Sequence, residues 1–134
     1  MFLPFQFLIV LLGLSLSLSA AEKKRKSPKP PDISILQTAA HRSEGKIALD
    51  GRIRNSGEKT IEGLVLLFDF MAPGRSVITT QKSRIDEEVL APGEEAVFHV
   101  ELNDPVRAVE YQLAAVDRAD RELRVANAGP FVID

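Results

Sequence analysis

The chain has 134 residues, no cysteine, and 17 basic against 19 acidic side chains, for a net charge of −2. That length holds one domain, the missing thiols exclude disulfides, thiolate metal sites and cysteine nucleophiles, and an apolar content of 45% excludes wholesale disorder. The charge is unevenly spread: residues 22–31 carry five basic groups and one acidic group, whereas residues 32–134 carry 12 basic and 18 acidic ones. An acidic body lacks the basic face that phosphate binding requires, so nucleic acid is not an expected partner.

Phe2 to Ala21 contains no charged side chain. Its most apolar part begins at Leu8, and Ser19-Ala20-Ala21 supplies small residues where a signal peptidase reads. Residues 1–21 are therefore expected to be a secretory signal peptide cut before Glu22. The same apolar run is about 19 residues long, near the roughly 20 that span a bilayer. Lys23, Lys24, Arg25 and Lys26 lie on its far side, where positive charge favours cytoplasmic retention. An uncleaved membrane anchor through residues 2–21 is thus the alternative. Residues 22–31 read as a disordered, basic, proline-rich linker. Pro28, Pro30 and Pro31 lack amide donors and favour an extended chain. The linker's charge suits anionic head groups, so residues 1–31 are where membrane contact is expected. The expected location is exported, periplasmic or extracellular, with anchoring as the alternative.

From Ile33 onward the pattern has period two. KIALDGRIRN places Ile47, Leu49, Gly51 and Ile53 on one face, and EEAVFHVEL does the same for Ala96, Phe98, Val100 and Leu102. AVEYQLAAVD turns Val109, Tyr111, Leu113 and Ala115 inward. Residues 61–71, IEGLVLLFDFM, are apolar on both sides: Leu64, Leu66, Phe68 and Phe70 share one face, and Ile61, Val65 and Leu67 the other. A strand of that kind is central or covered on its second face. Turn signals recur at APG (72–74), APG (91–93) and NDP (103–105), and DRADRE (117–122) is a further turn. Residues 32–134 are accordingly expected to form a single antiparallel β-sandwich of about seven strands, all-β and immunoglobulin-like.

The run from Gly51 to Leu102 resembles the FxLYD-type domain of bacterial envelope proteins. The resemblance rests on Gly51 to Asn55, on Val65-Leu66-Leu67-Phe68-Asp69, and on Leu90-Ala91-Pro92-Gly93-Glu94 followed by Phe98-His99-Val100. Val65 stands where the first aromatic of that motif would be, Phe68 replaces its tyrosine, and DFMAPG replaces its usual turn. The resemblance implies a non-catalytic accessory or structural module. LNDPVRAVEY also resembles the approach to a tyrosine corner, which implies a backbone bond from Tyr111 across a strand connection. The spacings have structural reasons: Gly51 suits close approach or a bulge, and Pro92-Gly93 suits the centre of a type II turn.

Candidate chemistry is sparse, and no catalytic or cofactor-binding residue is assigned. His99 is read as an outward strand residue and His41 as a loop residue, both ordinary surface histidines. No Gly-x-Ser-x-Gly elbow or phosphate loop is present. Asp86, Glu87, Glu88, Glu94 and Glu95 gather acidic oxygens in one region, so calcium is the alternative ligand. Asp69 is expected to cap a strand end and accept turn amides. The leading expectation is an exported, non-enzymatic module presenting Ile61, Val65 and Leu67 to a protein partner in the envelope. The alternatives are an ion- or small-ligand-binding domain using the acidic loops 86–95, or a membrane-anchored accessory subunit.

Overall fold

The computed structural model describes residues 30–134. The predicted leader (1–21) and all of the predicted linker except Pro30 and Pro31 lie outside the described residues. In chain order the strands are β1 (Ile33–Ser43), β2 (Lys46–Asn55), β3 (Ile61–Glu62), β4 (Val65–Met71), β5 (Val77–Arg84), β6 (Val89–Leu90), β7 (Glu95–Asn103), β8 (Glu110–Val116), β9 (Glu122–Leu123), β10 (Val125–Ala126) and β11 (Phe131–Val132). One sheet has the order β10-β1-β2-β7, and the other β11-β8-β4-β5 with β9 added to β8. A ribbon of β3 and β6 closes one end. Among the described residues no helix is long and apolar enough to cross a membrane.

The alternation in β2 is the one expected from KIALDGRIRN. Ile47, Leu49 and Ile53 are buried, while Lys46, Arg52 and Arg54 are exposed. Glu44 and Gly45 join β1 to β2 with φ of 53° and 79°. A two-residue hairpin needs left-handed residues at both places to match the strand twist. β7 lies along the other side of β2, with Gly51 opposite Phe98. A Cβ on Gly51 would sit 2.4 Å from the Phe98 ring and 2.5 Å from the Gln37 carbonyl oxygen. The glycine is therefore needed for close approach, and the bulge in this region lies across from it in β1, between Ile35 and Gln37.

The two sheets share one apolar interior. Phe68 of β4 and Phe98 of β7 meet across it with ring centroids 6.0 Å apart. Tyr111 of β8 packs between Phe70 and Phe131 at 6.4 and 5.4 Å. Pairs of rings at these separations add to the effect of the apolar area they bury.

Residues 61–71 are not one strand. Gly63 breaks them with φ of +62°, a conformation that glycine adopts without the Cβ penalty other residues meet. The extra residue resets the alternation, so Ile61, Leu64 and Leu66 all face the core. Ile61 is 4% exposed and pairs with Leu90 in the end ribbon. It does not share a face with Val65 and Leu67, because parity fails wherever the pleat is interrupted.

Candidate interaction surface

Val65 and Leu67 point away from the core on β4 and are half-buried. Their cross-strand neighbours are Val116 and Ala114 on β8, and Arg84 and Lys82 on β5. The outer face of this sheet thus carries a short apolar stripe flanked by two cations. A polar row bounds it: Asp69 accepts hydrogen bonds from Thr80 Oγ1 at 2.6 Å and from Gln112 Nε2 at 3.3 Å. Asp69 therefore ties three strands together through side chains and does not cap turn amides as expected.

The other sheet has a different outer face. Lys46 donates to Asn103 at 2.9 Å, Arg52 lies 3.9 Å from Glu95, and His99 is bonded to Asp50 directly across the β2–β7 pair. That bond and the Asp50 charge raise the pKa of His99 above its ordinary value. His41 belongs to β1, not to a loop, with Nδ1 3.7 Å from the carboxylate of Asp134.

The end of the sandwich next to residue 32 is built around Asn55, an amide side chain buried at 1% exposure. Its Nδ2 donates to the carbonyls of Lys59 at 2.8 Å and Leu90 at 2.9 Å, and its Oδ1 accepts the Gly57 amide at 3.0 Å. Its main chain bonds the next turn twice, through Glu94 and Gly93. That turn has Pro92 and Gly93 at its centre, with φ of +85° at Gly93, and closes by Glu94 N–H donating to Ala91 O at 3.0 Å. Glu94 Oε1 accepts the Ala91 amide at 2.9 Å. Every polar atom of Asn55 thus has a partner, which is what makes its burial tolerable.

The five acidic residues of the calcium alternative do not converge. Glu94 folds into its own turn, and Glu95 faces Arg52. Asp86, Glu87 and Glu88 line a cleft of about 320 Å³ with Asp117, Arg84 and Arg118. The Asp117 carboxylate accepts amides from Arg121 and Ala119, and these bonds, Arg121 first, hold its pKa below the usual range. Among the described residues no three His, Asp or Glu side chains are grouped to hold a metal ion.

Tyr111 is fully buried, but its hydroxyl bonds the side chain of Thr38 on the facing sheet at 2.9 Å, not a backbone group across a corner. Burial pushes its pKa above the ordinary value. Val109, expected inside, is 39% exposed. β5 had no place in the sequence reading, although Val77-Ile78-Thr79-Thr80 is a β-branched run of the kind strands favour.

No family model matches the chain, and no curated protein does. In fold it is similar to IrmA from Escherichia coli, with 12% identity over 79% of this chain and 99% of that one and a TM-score of 0.51. This likeness shows the fold alone, an all-β sandwich. A β-glucuronidase of glycoside hydrolase family 2 aligns at 10% identity and a TM-score of 0.49, over 76% of this chain but 13% of that one. The ApaA protein of Bordetella pertussis aligns at 14% identity and a TM-score of 0.43, over 77% of this chain and all of that one.

Proposed function

We propose that this chain is a non-enzymatic, exported β-sandwich module that presents the outer face of β4, β5 and β8 to a protein partner in the envelope. The observation that carries this reading is the contrast between the two outer faces. One holds Val65, Leu67, Ala114 and Val116 side by side, and the other is a checkerboard of charge around Asp50 and His99. Apolar side chains left together on a sheet surface favour a protein contact. The polar groups with unusual surroundings hold the fold: Asn55 and Tyr111 are occupied inside, and Asp69 braces strands. The strand order, with β1, β2 and β7 facing β11, β8, β4 and β5, is that of a two-sheet sandwich and supports the immunoglobulin-like reading, while the FxLYD-type assignment rests on the motif residues between Gly51 and Val100 alone. Export rests on residues 1–21 and the linker that follows.

A photoreactive amino acid at Leu67 tests the contact in cells. The expected result is a crosslinked adduct absent when the same group replaces His99 on the opposite face; equal labelling from both positions would refute the reading. N-terminal sequencing of the fractionated native protein separates a product beginning at Glu22 from a retained anchor. The alternative from the sequence, cation binding at acidic loops 86–95, would have to draw on Asp86, Glu87 and Glu88 in a cleft they share with Arg84 and Arg118. Calorimetry with calcium decides it, since absence of heat and of a melting-temperature shift removes that reading.

A further inference from the structure

The two long flanks of the sandwich are unlike. On one, residues 124–134 run against β1: Ile33 N–H donates to Arg124 O at 3.0 Å, and Asp134 N–H donates to Ala40 O at 3.2 Å. On the other flank β5 and β7 are the terminal strands of their sheets. They border the same flank, where Gln81 Nε2 of β5 reaches Asn103 O of β7 at 3.2 Å. Among the described residues, β5 pairs only with β4 and β7 only with β2. Both strands are proline-free and eight or nine residues long. Free edges of that length offer a row of unpaired amides and carbonyls to another strand.

Their charges are opposite. β5 carries Lys82 and Arg84 and no acidic residue, while β7 carries Glu95 and Glu101 and no lysine or arginine. Exposed apolar side chains also stand on both, with Ile78 at 42% on β5 and Val97 at 61% on β7. The strands run in opposite directions, since β7 leaves the Asn55 end and β5 returns toward it. A two-fold axis along the strands keeps those directions and exchanges the sheets. It lays β5 of one copy antiparallel to β7 of a second, twice over. A two-fold across the strands would set β5 on β5 and β7 on β7, cation against cation and carboxylate against carboxylate.

We propose that this flank is the interface between two copies of the chain, with each β5 extending the other copy's β7-edged sheet. The pairing joins the sandwiches into two continuous sheets and matches the charged edges. It depends neither on export nor on the Val65–Leu67 face.

Sedimentation velocity on the full chain, held in non-ionic detergent because of residues 2–21, tests this. The wild type is expected to dimerise at low salt and to weaken as salt is raised. Lys82→Glu with Arg84→Glu, or Glu95→Lys with Glu101→Lys, is expected to weaken association at least about tenfold, since like charges then face each other. All four substitutions in one chain are expected to restore it. A wild type that stays monomeric at every concentration overturns the proposal. So do reversed-edge variants that still dimerise, or a fourfold variant that fails to recover. Amide exchange gives an independent check: protection in 77–84 and 95–103 rises with protein concentration if the edges pair, and unchanged exchange there also overturns the proposal.

Discussion

The two sides of β2 treat polar residues in opposite ways. On its inner side Asn55 is sealed from water and bonded through every polar atom. On its outer side Asp50 holds His99 at a surface where both side chains are at least half exposed. Shape decides the inner side, because buried groups have no solvent to fall back on. Solvent and pH decide the outer side, because water competes for each partner and screens each charge.

Removing the inner anchor is the strongest way to break this contrast. Asn55→Ala leaves the Lys59 and Leu90 carbonyls and the Gly57 amide without their partner, and is expected to destabilise by about 3 kcal/mol in denaturant unfolding. A loss below a few tenths would mean that water replaces the amide freely. Gly51→Ala drives a methyl into Phe98 and the Gln37 carbonyl, and a cost of about 2 kcal/mol is expected from overpacking. Tyr111→Phe keeps the ring and removes the bond to Thr38, for a loss of about 1 kcal/mol. The same melting curve as wild type would show that bond to be idle.

The smallest effect belongs to the outer side and is read as a trend with pH. His99 has its pKa raised in the folded state, chiefly by the hydrogen bond to Asp50. Its contribution is therefore complete below the ordinary histidine value of about 6.5 and fades as pH rises through the folded-state value. The melting-temperature gap between wild type and Asp50→Asn should narrow as pH is raised through that window. A gap that stays constant would assign the pair no role in stability.

How far the sequence foretold this molecule follows from what each signal encodes. The inner row of β2, the Phe98–Val100 row of β7 and the Pro92-Gly93 turn were legible, because alternation and turn chemistry are local. The break at Gly63 was not, since a glycine within apolar residues reads as strand until its φ is known. That one angle moved Ile61 from the expected outer patch into the core, and left Val65 and Leu67 without it. The partner of Tyr111 was missed because Thr38 stands 73 positions away, and only the packing of two sheets brings them together. Asn55 was singled out by motif, but its role came from Leu90 and Lys59, contacts that no local pattern records. The acidic residues at 86–95 are neighbours in sequence and part company in space, because one turn consumes Glu94.

The fastening of the chain's last residues to β1 also fixes how the domain would bear tension. Asp32 enters beside Arg124, while Asp134 is held near the far end of β1, about 30 Å away at 3.3 Å per residue. A pull between those points acts along the strands, so the bonds joining β1 to residues 124–134 are loaded in shear together. A hinge-like peel, one bond after another, would need a force applied from the side.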